Sequence, residues 1–281
     1  MAVRTSPVTG VAARVPFIAV PPTTAPSSAA PIVVAWHLMD PPRTEAAFAA
    51  ALPLDGLDAW RIYLGLPMCG SRTPPGGADE LMRLGYEDAV LHLHGPVTSQ
   101  AAQEFEAAFA DLHGQLDLGD GPIGVLGGSV GAAVAQLVLA ERDVEITAAV
   151  LVSPMVQLRA AVEAMGRRFG ITYPWSQRSS EVARRLDFVA RADEIARRGD
   201  PAVLLVVGGD DDPDGFREPA VRLRSALTRR YGDPRRAELV VVPEMAHALA
   251  DEPGVDPAPQ SPAAGEVDRH AVRWLRRHLT P

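Results

Sequence analysis

The segment from Gly127 to Gly131 reads Gly-Gly-Ser-Val-Gly, and it places a serine between glycines two positions away on either side. An apolar run at 122–126 precedes it, and a helical run follows it from 132 to about 141. A serine on a sharp strand-to-helix turn adopts strained backbone angles, so its neighbours two residues away must lack side chains. Ser129 is therefore a candidate nucleophile exposed at the end of a strand.

A serine nucleophile needs a base and an acid that orients the base. An apolar run at 203–207 ends in Gly-Gly-Asp-Asp-Asp-Pro, which contains Asp211 and Asp212, and a second run at 240–242 leads into Pro-Glu-Met-Ala and His247. The carboxyl ends of parallel strands meet at one edge of an open sheet. The base and either carboxylate can therefore converge on Ser129.

Each of these patterns also has a purely structural interpretation. Ser129 could cap a helix after a glycine-rich turn, and the aspartates could satisfy backbone groups in a turn. A lone histidine after a strand is more often structural than catalytic. His247 also has six competitors, which are His37, His92, His94, His113, His270 and His278. The chemical interpretation rests on the combination of the three segments.

Apolar runs alternate with amphipathic ones along the chain, and they predict the elements that would position these residues. We expect an N-terminal strand at 10–20 and a Pro-rich connector at 21–31. Further strands are expected at 32–36, 60–64, 122–126, 146–152, 202–207 and 238–242, and helices at 45–52, 78–93, 99–112, 132–141, 217–231 and 266–279.

This alternation predicts an α/β fold with a mostly parallel central sheet and helices on both faces. The gap between the strands at 146–152 and 202–207 is longer than one crossover needs. We therefore expect one domain, 1–281, with an N-terminal strand and connector at 1–31 and a helical cap insertion at 155–200. Phe169, Tyr173 and Trp175 in this cap could form an apolar wall over Ser129, although packing is their commoner role.

The composition excludes several mechanisms. All 27 basic residues are arginine, and the absence of lysine excludes a Ser-Lys dyad, a Schiff-base lysine and a P-loop lysine. Asparagine is absent too, which excludes a Cys-His-Asn arrangement. The single cysteine, Cys69, rules out an intrachain disulfide, and we expect it to be a small buried residue. A net charge of −8 with interspersed signs argues against a nucleic-acid or basic membrane-binding surface.

The order of serine, acid and histidine along this chain resembles that of the α/β-hydrolases. The resemblance covers roughly residues 10–280 and rests on the segments 127–131, 209–213 and 243–247. It implies the α/β-hydrolase fold with a catalytic triad. The short link from the acid strand to the histidine loop is similar to the dienelactone-hydrolase and prolyl-oligopeptidase-like branch.

The resemblance also implies the role of each residue. Ser129 would attack an acyl carbonyl, His247 would take and return its proton, and the acid would fix the imidazole tautomer. We choose Asp212 as the acid because relatives often show Gly-x-x-Asp followed by Pro, which Gly209 to Pro213 matches. Asp211, three residues after Gly208, is the close alternative.

An oxyanion hole is implied as well, with one backbone donor after the nucleophile and one in the loop after the third strand. The first donor is Val130. The second is the amide of Leu38 or Met39, where relatives usually carry His-Gly and this chain has His37 followed by leucine. The dipeptide His94-Gly95 matches the His-Gly motif more closely in residue type. However, the stretch between it and the strand that precedes the serine is one helix, which leaves no room for the fourth strand, so we interpret it as a break between helices.

We therefore expect a cytoplasmic serine hydrolase that cleaves a carboxylic ester or related acyl bond of a small molecule, without a metal or organic cofactor. One alternative is an aminopeptidase or acyl-peptide hydrolase, although nothing in the sequence defines a pocket for a free amino terminus. Another is a catalytically silent scaffold that binds a ligand, against which the complete triad argues. Arg167 and Arg168 could attract an anionic acyl group, but such pairs are usually solvated surface.

Overall fold

A sheet of eight strands forms the centre of the computed structural model, which describes residues 6–24, 28–197 and 199–279. The strand order is β1-β2-β4-β3-β5-β6-β7-β8. The first two strands pair antiparallel, and β3 to β8 run parallel. The strands are β1 (Val8–Ala12), β2 (Val15–Val20), β3 (Ile32–Trp36), β4 (Trp60–Leu64), β5 (Ile123–Gly128), β6 (Ile146–Val152), β7 (Ala202–Gly208) and β8 (Ala237–Val242).

Helices cover both faces of this sheet, which explains why β3 and β7 are continuous apolar runs with every residue buried. One apolar core includes residues of α3, α4 and α8, and the other includes residues of α1 and α9. The helices are α1 (Glu45–Ala51), α2 (Gly77–Asp88), α3 (Gly95–Leu116), α4 (Val130–Glu141), α5 (Leu158–Phe169), α6 (Gln177–Arg185), α7 (Ala192–Ala196), α8 (Glu218–Thr228) and α9 (Pro262–Leu279).

The N-terminal strand expected at 10–20 is instead a hairpin of β1 and β2. Ala13 and Arg14 connect the two strands and have φ values of 45° and 72°. Two-residue hairpin turns with positive φ at both positions favour Asn and Gly. This chain uses neither residue there, so the sequence carried no turn signal. Residues 1–5 of the N-terminal segment and residues 25–27 of the predicted connector lie outside the described residues.

The segment at 155–200 contains helices, as expected for a cap: α5, α6 and α7 lie between β6 and β7. A second helical region packs against α5 and α6, and it consists of α2 and a π-helical segment, Ala89–His94. The sequence predicted a helix there but not its place beside the cap. The division of the chain into one domain with a cap insertion stays a prediction.

Candidate active site

Ser129 lies between the end of β5 and the start of α4, with φ 48° and ψ −111°. Its N–H donates a hydrogen bond to the carbonyl of Val152 (2.9 Å). The neighbouring glycines are required by close backbone approach. A Cβ atom on Gly127 would lie 2.3 Å from the carbonyl oxygen of Gly131, and one on Gly131 would lie 2.3 Å from that of Trp36. The strained serine between two glycines is the local geometry that the sequence pattern predicted.

The imidazole of His247 connects the serine to an acid. Its Nε2 lies 2.8 Å from Ser129 Oγ, and its Nδ1 lies 2.9 Å from Asp211 Oδ2. A carboxylate can only accept, so Nδ1 carries the proton and the serine hydroxyl donates to Nε2. A hydrogen bond from the Asp210 N–H to the Met245 carbonyl (3.0 Å) joins the loop after β7, which contains the acid, to the loop after β8, which contains the histidine. The three side chains therefore form a continuous relay from hydroxyl to carboxylate.

The acid against the imidazole is Asp211, so the sequence-based choice of Asp212 is corrected. The Asp211 side chain is 2% exposed, and its second oxygen accepts from the Asp212 N–H (2.8 Å). Asp212 turns away, because its Oδ1 accepts from the Gly215 N–H (2.7 Å) and caps the π-helical segment Pro213–Arg217. A residue before proline is held in extended backbone, which suits a capping residue. The Asp-Pro pair thus marks a helix cap.

Several neighbours influence the basicity of His247. Burial alone would lower the pKa of this imidazole, but the hydrogen bond and charge of Asp211 and the charge of Asp40 offset burial and raise the pKa above its ordinary value. Arg168 opposes that rise. The ring of Phe216 packs against the imidazole with centroids 4.1 Å apart. The imidazole is therefore held in place and is electrostatically prepared to accept a proton.

Asp40 is a residue that the sequence interpretation missed as part of this site. Its Oδ2 lies 3.8 Å from His247 Nε2, on the side of the imidazole that faces Ser129. Asp40 ends the His-Leu-Met-Asp segment that follows β3. The signal that could have found it is this position, because every residue of that loop follows a strand end at the catalytic edge.

The loop after β3 contacts the turn that carries the serine. A Cβ atom on Gly131 would lie 2.4 Å from the carbonyl oxygen of His37, and one on Gly128 would lie 2.3 Å from a methyl group of Leu38. Among the described residues, no hydrogen-bond acceptor is found for the amides of Leu38, Met39 and Val130. Free N–H groups beside a nucleophile are what an oxyanion hole requires.

His37 holds this loop in place. Its Nδ1–H donates to the carbonyl of Leu38 (2.6 Å), and its Nε2 accepts from the Leu66 N–H (3.1 Å). Burial lowers the pKa of His37 to about 4, with the Leu38 hydrogen bond opposing this shift, so the ring is neutral at pH 7. A neutral ring can donate from one nitrogen and accept at the other. The histidine therefore connects the loops that follow β3 and β4.

His94-Gly95 joins two helical segments, since the π-helical segment ends at His94 and α3 begins at Gly95. A Cβ atom on Gly95 would lie 2.6 Å from the Val90 carbonyl oxygen, so the join requires glycine. His94 is 8% exposed, and no partner is found for its Nδ1 among the described residues. Burial lowers its pKa to about 4, against the opposing charge of Asp40.

The arginines and aromatics of the cap have separate roles. Arg167 forms ion pairs with Asp212 and Asp214, so it is engaged at the acid loop. Tyr173 packs edge-on against Trp175, and the Arg159 guanidinium lies over the ring of Trp175. Cys69 is buried, and burial raises the pKa of its thiol to about 12, which leaves it a poor nucleophile at neutral pH.

Neither a metal site nor a membrane-spanning helix is found in the described part of the chain. No group of three or more His, Cys, Asp or Glu side chains there is arranged to hold a metal ion. Within the same residues, no helix is both long and apolar enough to cross a bilayer.

Solved structures resemble this chain over nearly its whole length, whereas no protein-family model and no curated protein matches it. TT1662 from Thermus thermophilus has a TM-score of 0.69 at 17% identity, with 100% of both chains covered. A puromycin-hydrolyzing peptidase from Mycobacterium tuberculosis has a TM-score of 0.64 at 18% identity, over 98% of this chain and 40% of that one. A dienelactone hydrolase from Anabaena variabilis has a TM-score of 0.57 at 16% identity, over 98% and 99%.

These likenesses and the strand order confirm the predicted α/β-hydrolase fold. Sequence identities of 16–18% support a shared fold and nothing about activity. A fold hosts many activities, so the function has to be argued from the site itself.

Proposed function

We propose that this chain, which has the α/β-hydrolase fold, is a serine hydrolase that cleaves a carboxylic ester or related acyl bond. The observation that carries the proposal is the relay from Ser129 Oγ through His247 to Asp211, with distances of 2.8 and 2.9 Å. A serine hydroxyl is a weak nucleophile unless a positioned base takes its proton. This arrangement supplies that base and the acid that orients it.

The reaction follows from the geometry in two halves. Ser129 Oγ attacks the acyl carbon while its proton moves to His247 Nε2, and the carbonyl π electrons move to the oxygen. Collapse of the tetrahedral intermediate breaks the bond to the leaving group, which takes the proton from Nε2 and leaves an acyl-enzyme. Water then attacks the acyl-enzyme with His247 as base, and release of the acid regenerates the serine. Asp211 stays ionised and stabilises the imidazolium in both halves.

The negative charge on the carbonyl oxygen requires donors that are in place before the reaction. We assign this role to the N–H of Val130, together with the N–H of Met39 or Leu38. Their lack of partners among the described residues supports the assignment, as does the contact of the loop after β3 with Gly131. Loss of one such donor typically costs about 10²–10³-fold in kcat.

Both esterases and peptidases occur among the structural neighbours, including a Pyrococcus furiosus esterase and a Pyrococcus horikoshii acylaminoacyl peptidase. The same triad serves ester and amide bonds, so the ester is our first choice because its leaving group is the easier one to expel. A small-molecule acyl substrate and a cytoplasmic location are parts of this proposal.

Turnover of p-nitrophenyl butyrate tests the proposal. The parent chain is expected to hydrolyse the ester with a burst of p-nitrophenol, and Ser129→Ala is expected to abolish both burst and turnover. Ser225→Ala is the matched control, because this serine lies on α8 and its hydroxyl donates to the Val221 carbonyl of the same helix. No turnover of short-chain or aryl esters by the correctly folded parent chain would refute the assignment.

A further inference from the structure

A cavity of about 470 Å³ lies between the α2 region and the C-terminal part of α5. Its walls are mostly apolar side chains, such as Leu81, Leu93 and Met165. Its rim is apolar as well, and it includes four large hydrophobic side chains that are exposed to solvent, Met82, Tyr86, Phe169 and Ile171. Exposed apolar groups concentrated around one concave site are characteristic of a binding pocket for an apolar group.

One buried polar atom without a partner belongs to this cavity. His94 lines the cavity, is 8% exposed, and has no hydrogen-bond partner for Nδ1 among the described residues. An unsatisfied buried polar atom is costly to a folded protein. The cavity also lies near the catalytic histidine, because α5, whose Val162 and Met165 line it, packs against the segment Pro213–Arg217, and Phe216 of that segment contacts the His247 imidazole.

Asp40 is a carboxylate at the reaction centre whose nearest basic group is the catalytic imidazole itself. Its side chain is 56% exposed and lies 3.8 Å from His247 Nε2. No arginine lies within ion-pair distance of it in the described ranges, and no hydrogen bond to its carboxylate is found there. Arg168, a cation whose charge acts on His247, lies in the last turn of α5, and no ion pair between it and Asp40 is found among the described residues. The acyl carbon attacked by Ser129 must sit close to this free negative charge.

We propose that Asp40 and this cavity select acyl substrates with a protonated amine next to the scissile carbonyl and a bulky apolar side group. Esters or amides of hydrophobic α-amino acids have this chemistry. The inference rests on the proposed serine-hydrolase function and specifies its substrate class. The ammonium would pair with the Asp40 carboxylate, and the side group would enter the cavity past His94.

The charges at the site support an ammonium rather than a neutral or anionic group. A free carboxylate beside the reacting carbonyl repels the negative charge that develops on its oxygen. An ammonium bound between them removes that repulsion and forms a charge-assisted hydrogen bond, which is stronger than a neutral one. An anionic acyl group would meet the same carboxylate and be repelled.

A pair of esters that differ only in the amine tests the role of Asp40. Phenylalanine ethyl ester and ethyl 3-phenylpropanoate share one carbon skeleton, and at pH 6.5 the α-amine of the first is mostly protonated. We expect kcat/KM to favour the amino ester by about 10-fold or more. Asp40→Asn should reduce this ratio by a similar factor. The ratio cancels any change in the basicity of His247, since both esters use the same base.

The control variant is Asp256→Asn, which removes the same charge at an exposed loop position and should leave the ratio unchanged. A ratio near one in the parent chain, or a ratio that Asp40→Asn does not alter, would overturn the inference while ester hydrolysis itself continues. The inference would also be overturned if the chain preferred an ammonium only in the 2-aminoethyl ester of 3-phenylpropanoate, which carries the ammonium on the leaving group. If the chain is not a serine hydrolase at all, neither ester would be cleaved, and this result is distinguishable from a lost preference between two cleaved esters.

A cavity-filling variant tests where the side group binds. Gly85 lines the cavity on α2, and a Cβ atom there meets only a Leu93 methyl group at 3.6 Å, so Gly85→Phe can fill the cavity without a backbone clash. We expect it to lower the phenylalanine-to-alanine ratio of ethyl ester kcat/KM by about 10-fold. Gly114→Phe on α3 is the matched control, since a Cβ atom there meets nothing within 4 Å. An unchanged ratio in Gly85→Phe would contradict this binding site.

Discussion

The imidazole of His247 lies between two carboxylates, with Asp211 bonded to Nδ1 and Asp40 near Nε2. Both charges favour the imidazolium, and together they offset the burial that would lower its pKa. In the proposed mechanism, Asp211 stabilises the imidazolium without contacting the substrate. Asp40 faces the substrate side, so its charge affects both the base and whatever binds there.

The first prediction concerns pH. Hydrolysis needs neutral His247, so kcat/KM for ethyl 3-phenylpropanoate should rise with pH through the pKa of the free enzyme's imidazole. Because that pKa is raised, the acid limb is expected above 6.5. Asp40→Asn removes a charge that favours the imidazolium, so its limb should move to lower pH, while Asp256→Asn should not move it. An upward shift in Asp40→Asn would contradict this electrostatic account.

The second prediction separates the two neighbouring acids. Asp211→Asn should lower kcat for p-nitrophenyl butyrate by about 10³–10⁴-fold, because an amide no longer holds the imidazole in the productive tautomer. Asp212→Asn should leave turnover close to that of the parent chain, since asparagine can also accept the Gly215 N–H at a helix cap. The reverse pattern would restore Asp212 as the triad acid.

At the scale of elements, the turn between β5 and α4 depends on the loop after β3. Gly131 allows that loop to approach α4, and Gly128 allows the Leu38 side chain to pack on the end of β5. The nucleophile and the proposed oxyanion donors are therefore built from two loops in direct contact. A change in one loop must displace the other.

The third prediction tests this contact. Gly131→Ala places a methyl group 2.3 Å from a backbone oxygen, and overpacking of this kind costs about 1–3 kcal/mol of unfolding free energy. Urea unfolding should show this loss, and ester turnover should fall as the two loops separate. Gly114→Ala is the control, because its methyl group meets no atom within 4 Å on α3. Equal stability of the two variants would contradict the close approach.

Much of the sheet could be predicted from the sequence because buried parallel strands are continuous apolar runs, as in β3 and β7. Ser129 could be placed because it follows such a run, and His247 because it follows the apolar run of β8, which forms a partly exposed edge strand. The choice between Asp211 and Asp212 depends on which carboxylate is used for a helix cap, and letter patterns do not carry that information. The partnership of α2 with the cap and the position of Asp40 depend on contacts between distant segments.

At the scale of the whole molecule, Asp268 on α9 fastens the C-terminal helix to the loop before β4. Its Oδ1 accepts from the Leu54 N–H (2.8 Å), and the carboxyl group is buried. Burial raises its pKa to about 6, although the Leu54 hydrogen bond opposes the shift. The folded state therefore binds this proton more tightly than the unfolded state, for which the ordinary value is 3.8.

The fourth prediction follows from that linkage. A raised folded-state pKa contributes stability that is present at low pH and is lost as the pH rises through about 6. Asp268→Asn keeps an acceptor for Leu54 but cannot ionise, so it should be more stable than the parent chain at pH 7.5. Urea unfolding at pH 7.5 and 4.5 checks this, with the difference expected to shrink at the lower pH. A parent chain that is more stable than the variant at pH 7.5 would contradict it.

The central claim is that Ser129 is an activated nucleophile, and covalent trapping followed by peptide mapping tests it most directly. A fluorophosphonate should label the folded chain with one equivalent, and mass spectrometry should find the adduct on Ser129. Labelling should disappear in Ser129→Ala and persist in Ser225→Ala. An adduct on another residue, or a folded chain that stays unlabelled, would contradict the account.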